Sequence, residues 1–134
     1  MTDRKNILSV AYIPALGRQR ELLLRMAGYD VVTVKTVVEA AYRLTARPFD
    51  LVIIGHAVPP KETGAIAAFV ARAQEVPILF LHPGTEGRDG AGIYFNVADG
   101  SEAFLKRVAS IIVERSKAQQ FSNWYENQTE DRTK

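Results

Sequence analysis

The chain contains no cysteine, so disulfides and thiolate metal sites are excluded, and a reducing compartment is consistent with that lack. No apolar run approaches the ~20 residues that a bilayer-spanning helix needs, so no membrane contact is expected. The stretch Met1-Thr2-Asp3-Arg4-Lys5-Asn6 shows no secretory pattern and leads straight into an apolar segment, so a cytoplasmic location is expected. Charge of one sign is not in excess either: 17 Lys and Arg stand against 15 Asp and Glu, a net of +2. That bias is too small to argue for nucleic acid, and none is expected as a partner. Arg18, Arg20 and Arg25 read as solvated arginines on an amphipathic helix. What is present is ordinary for a globular protein: 47% hydrophobic residues and 134 positions, enough for one domain with its own core.

Along the chain, short apolar runs alternate with helical spacing. Ile7 to Ile13 reads as a buried strand, followed by Pro14 at a position suited to the first turn of a helix. Leu16, Gln19, Leu22, Leu23 and Met26 carry the helical period, and Gly28 supplies a left-handed stop. Val31–Val34 is β-branched and reads as strand two. Thr36-Val37-Val38-Glu39 has the form of a capping box opening helix two. Leu51–Ile54 reads as strand three, Pro59–Gly64 as a loop, and Ile66, Phe69, Val70 and Ala73 as helix three. Pro77–Leu81 and Ile93–Val97 read as strands four and five, with a glycine-rich connection from Pro83 to Gly92 between them. Asp99-Gly100-Ser101-Glu102 offers a second capping box, and the last helix is expected from about Ser101 to Lys117. Near-continuous apolar strands require helices on both faces, so the pattern predicts an α/β fold with a five-stranded parallel sheet.

The segment Phe49-Asp50-Leu51-Val52-Ile53-Ile54-Gly55-His56-Ala57-Val58-Pro59 carries a more specific signal. It resembles the third strand of the receiver domains of two-component response regulators, which usually read Asp-Leu-Val-Leu-Leu-Asp-x-x-Met-Pro. Pro14–Leu23 with Ala27–Val32 is similar to the family's first helix and second strand. Glu39–Leu44 is similar to its second helix, and Val76–Leu81 to its fourth strand. The resemblance covers roughly residues 6–118. It implies the flavodoxin-like strand order 2-1-3-4-5, with Tyr94 at the family's switch-aromatic position. The span from His82 to Tyr94 is too short for the family's fourth helix, which is expected to be missing or reduced to a turn.

The family's chemistry requires two acidic residues after strand one, a phosphate-accepting aspartate after strand three, a hydroxyl after strand four and a lysine after strand five. The corresponding positions hold Ala11 and Tyr12, Gly55, His82, and Val97. None supplies a carboxylate to bind Mg²⁺ or to form an aspartyl phosphate. The resemblance therefore implies a degenerate bacterial receiver that is not an enzyme, binds no metal or cofactor, and acts by protein–protein contact, a second copy of the chain being one partner considered. No effector segment for DNA is read here, so no transcriptional activity is expected from this chain alone.

Two histidines at the strand ends invite a metal or phosphohistidine reading. Side-chain alternation is expected to place Gly55 and His82 on one face and His56 on the other, and no third ligand is evident, so structural histidines are favoured. Tyr12 is expected either to plug the former metal site or to pack ordinarily with its hydroxyl in water. The glycines at 84, 87, 90 and 92 fit neither a P-loop nor a dinucleotide fingerprint. Residues 1–118 are expected to form the domain and 119–134 a tail. Its Phe121, Trp124 and Tyr125 read equally as a docking segment or a linker remnant. Two further readings stay open: a small-ligand binder or enzyme using the strand-end crevice near His82, and a stability element within a larger assembly.

Overall fold

A computed structural model describes residues 4–83 and 92–132, with side chains to residue 128. Five parallel strands form one sheet in the order β2-β1-β3-β4-β5: β1 (Asn6–Val10), β2 (Asp30–Val34), β3 (Leu51–Ile54), β4 (Ile78–His82) and β5 (Ile93–Asn96). The helices are α1 (Pro14–Met26), α2 (Val37–Ala46), α3 (Pro60–Ala73) and α4 (Ser101–Arg132), with a 3₁₀ turn at Val97–Asp99 before α4. No helix among the described residues is long and apolar enough to cross a membrane. The expected missing or shortened helix between β4 and β5 falls on residues 84–91, outside the described residues.

Strand alternation splits the core in two. Ile7, Leu51, Ile53, Leu79 and Leu81 point to one face and pack with Leu24 of α1 and Phe104, Val108, Ile111 and Ile112 of α4. Leu8, Val10, Val52 and Ile54 point to the other face, against Ala40 and Leu44 of α2 and Ile66 and Val70 of α3. Each Val, Leu, Ile or Phe among them contributes roughly 1.5–3 kcal/mol by leaving water.

Several local signals translate directly. Pro14 opens α1, Gly28 adopts φ +100°, and the Thr36 hydroxyl accepts from the Glu39 amide at 3.1 Å. The box at Thr36 is only half formed, because the Glu39 carboxylate meets the Thr36 hydroxyl at 3.3 Å. Four readings are corrected. Pro59–Gly64 is mostly helix, because Pro60 starts α3 and the Thr63 amide bonds the Pro59 carbonyl at 2.9 Å. No second capping box forms: Asp99 lies in the 3₁₀ turn, and the Phe104 amide bonds the Gly100 carbonyl at 3.0 Å. On α1 the inward residues are Gly17, Arg20 and Leu24, while Leu22 and Met26 are exposed. Finally, α4 does not end near Lys117 but runs to Arg132, 32 residues in all.

Arg115 tethers α4 to the domain: its Nη1 lies 2.9 Å from Asp50 Oδ1 and its Nη2 donates to the Glu75 carbonyl. Asp50 also accepts from the Asn6 amide at 2.8 Å, at the amino end of the sheet. From Lys117 to Gln128 every side chain of α4 is exposed.

Gln74 joins three elements: its Nε2 donates to the carbonyls of Leu44 and Arg47, and its Oε1 accepts from the Phe49 amide. Gln74→Ala is expected to destabilise the chain by about 2 kcal/mol, because net hydrogen bonds of ~1 kcal/mol each are lost in a partly solvated setting. Urea unfolding checks this, with a lowered midpoint at unchanged slope as the expected result.

Candidate functional site

The carboxyl ends of β1, β3, β4 and β5 converge where open α/β sheets place their ligands. Ala11 is buried and donates its amide to the Val34 carbonyl, and Gly55 donates to the Val10 carbonyl at 2.9 Å. A Cβ on Gly55 would lie 2.9 Å from Nη1 of Arg20 and 3.1 Å from the Val10 carbonyl oxygen. The guanidinium of Arg20 thus stands against the position from which a side chain at residue 55 would project.

Arg20 reaches this place because it lies on the inward stripe of α1, three residues after Gly17 and four before Leu24. Its Nη1 is buried and has no hydrogen-bond partner among the described residues. Burial lowers its pKa, yet a guanidinium remains charged at any ordinary pH. The sequence reading of Arg20 as solvated is therefore corrected, whereas Arg25 is exposed as expected. Arg25 donates to the Val31 carbonyl at 2.8 Å and pairs with Glu21. The missed signal was in the spacing, since Arg20 shares its helix face with Gly17 and Leu24.

His56 and His82 also depart from expectation. The β3–β4 register pairs Ile54 with Phe80, so continuing it sets His56 opposite His82, and both side chains line one crevice. The alternation argument fails because Gly55 has the parity of Ile53, whereas His82 has that of Phe80. The crevice measures about 430 Å³ and is also lined by Gly55, Phe80 and Tyr94. His56 Nδ1 and both ring nitrogens of His82 are buried without a hydrogen-bond partner among the described residues. Burial first, and then the charge of Arg20, hold His56 below its usual pKa, so it is neutral at pH 7. Tyr94 stacks on Phe80 at 5.2 Å and meets His82 edge-on at 6.1 Å.

Tyr12 packs beside the α2–α3 core. Burial raises its pKa, as does the charge of Glu62 on α3. Val97 lies in the 3₁₀ turn and lines a second cavity of about 260 Å³ between α1 and α4, beside Arg20 and His56. Phe121, Trp124 and Tyr125 are not part of this site: they sit on α4, with Phe121 about 30 Å along the helix from Ser101.

Mg²⁺ does not fit this donor set. Ala11, Tyr12 and Gly55 offer no carboxylate, and the charged group at the centre is a cation. No cluster of three or more His, Cys, Asp or Glu residues suited to a metal occurs among the described residues.

The buried, unpaired donor of Arg20 makes a measurable demand on stability. Arg20→Met keeps most of the alkyl packing and removes the charge, and is expected to stabilise the chain by about 1 kcal/mol, the scale of one buried unsatisfied donor. Calorimetric melting should show a Tm raised by roughly 3–5 °C; a lowered Tm would mean that the guanidinium is satisfied.

No family model and no curated protein matches the chain. Solved structures do. A CheY-like receiver domain from Methanospirillum hungatei is 18% identical, with a TM-score of 0.75 over 87% of this chain and 99% of that one. The receiver domain of a Pseudomonas aeruginosa sensor histidine kinase, described with magnesium in its active-site cleft, is 21% identical, with a TM-score of 0.70 over 82% of this chain and 98% of its own. A fusion carrying the yeast Spc42 trimeric coiled coil, residues 181–211 of that protein, matches with 17% identity and a TM-score of 0.79 over 99% of this chain and 95% of its own. With the sheet order 2-1-3-4-5, these likenesses establish that the chain has the CheY-like receiver-domain fold.

Proposed function

We propose that the chain is a cytoplasmic receiver-type signalling domain of a two-component regulatory system, one that accepts no phosphoryl group and works by protein–protein contact. The observation that carries this reading is Nη1 of Arg20, 2.9 Å from where a Cβ at position 55 would stand. A phosphate-accepting receiver needs a carboxylate there and a metal beside it, since the transfer depends on positioning and charge stabilisation. Ala11, Tyr12, His82 and Val97 supply none of the remaining groups. The role is then recognition rather than catalysis, and requires neither nucleic acid nor a membrane.

The docking element is the outer part of α4, with residues 1–118 as the domain and 119–134 as the segment that engages a second copy of the chain. Phe121, Trp124 and Tyr125 are 65%, 57% and 61% exposed. Together with Val113 they fall within an arc of about 120° on the helix. Sixteen residues of helix projecting beyond Ser116 are marginal alone in water, so apolar packing between copies would stabilise them. The coiled-coil fusion supports this geometry: it aligns over 99% of the chain, against 82–87% for the two receiver domains.

Two experiments test the proposal. Incubation with radiolabelled acetyl phosphate and Mg²⁺ should leave both the native chain and Gly55→Asp unlabelled, because restoring the acceptor does not restore the metal site; stable label on the native chain contradicts the reading. Trp124 is the sole tryptophan, so its fluorescence reports on the docking element alone. Its emission should shift to the blue with rising concentration, while Phe121→Ala stays red-shifted throughout. Constant red-shifted emission of the native chain, with a monomeric mass in sedimentation, would contradict the second-copy assignment.

A further inference from the structure

We propose that the cavity between α1 and α4 is a binding site for a small carboxylate with an apolar body. The cavity, about 260 Å³, has Leu81, Phe95 and Phe104 as its apolar floor, and Arg20, His56 and Ser101 among its polar lining. No acidic side chain lines it among the described residues. This differs from a ligand at the His82 crevice, a second cavity that shares His56 and Leu81 with this one.

Three features converge on one anion. Nη1 of Arg20 and Nδ1 of His56 are both buried without partners, and buried polar groups are ordinarily hydrogen-bonded. A planar guanidinium matches a carboxylate in geometry as well as charge. Ser101 begins α4, so the amides of that first turn lack intrahelical acceptors and add the positive end of a 32-residue helix.

The charge count selects the class. Arg20 contributes one positive charge, and His56, held neutral by burial and by Arg20, contributes a donor but no second charge. A singly charged anion is matched, whereas a phosphate dianion would leave charge uncompensated against an apolar floor. The volume corresponds to roughly nine waters at ~30 Å³ each, which suits an acid of benzoate or isovalerate size and not a nucleotide.

The experiment titrates the ¹⁵N-labelled full chain with benzoate, isovalerate, the neutral isostere benzamide, and inorganic phosphate, following amide shifts by NMR. The two acids should give saturable shifts at Leu16, Leu23, Ser101 and Phe104, with benzamide at least tenfold weaker. Arg20→Met should weaken benzoate at least tenfold. Gly55→Asp, whose carboxylate would sit against Nη1, should do the same by competing from within, so the conclusion does not hang on one variant. Absence of saturable shifts, equal binding of benzamide, or native affinity in either variant overturns the proposal. Phosphate binding as tightly as benzoate overturns the single-charge assignment.

Discussion

A distance of 2.9 Å separates Nη1 of Arg20 from the point where residue 55 would carry a Cβ, and the character of the sheet's carboxyl edge follows from that contact. Glycine at 55 lets α1 turn a cation inward over the end of β3. Arginine at 20 in turn fills space that an acidic side chain would otherwise claim. Its flexible end could move aside for a larger residue, but the Val10 carbonyl oxygen, 3.1 Å from the same point, is backbone and yields less. The edge therefore has an unpaired positive group where the like-folded magnesium-bearing domain has a metal-binding cleft. A buried donor without an acceptor costs about 1–3 kcal/mol. A fold can carry that cost where the two-faced core around Ile53 and Ile54 is well packed.

The chain divides its tasks along α4. Phe104, Val108, Ile111 and Ile112 hold the first half against the sheet, and Arg115 fastens it to Asp50 at the sheet's opposite edge. Beyond Ser116 the same helix leaves the domain and turns its aromatic residues to solvent. One helix thus begins at Ser101, beside the Arg20 cavity, and carries the exposed aromatic residues toward its far end. Any occupant that shifts Ser101 bears on the base of that helix.

The fold was largely legible in the sequence because its signals are local or periodic. The apolar runs at Ile7, Leu51 and Ile78 announced buried strands, Gly28 announced a left-handed stop, and Thr36 announced a cap. The strand order came from the resemblance at Phe49–Pro59 rather than from periodicity. The site was legible only by subtraction. That Gly55 has no side chain is plain from its identity, but which neighbour fills the space depends on the rotation of α1, and Leu22 and Met26 suggested the wrong inward face. The histidines were misassigned for a related reason: relative facing depends on register, and a shift of one residue exchanges the faces. The length of α4 was hidden because its outer turns have polar and aromatic residues with no core to impose a period.

The central claim is that a cation, not an acidic cluster, occupies the carboxyl edge of the sheet. Paramagnetic Mn²⁺, which takes the oxygen ligands that Mg²⁺ takes, tests this most directly when added in small amounts to the ¹⁵N-labelled chain. The account predicts that the amide signals of Ala11, Gly55 and His56 keep their line widths while exposed acidic stretches broaden weakly. Selective loss of those three signals at low Mn²⁺ would contradict it.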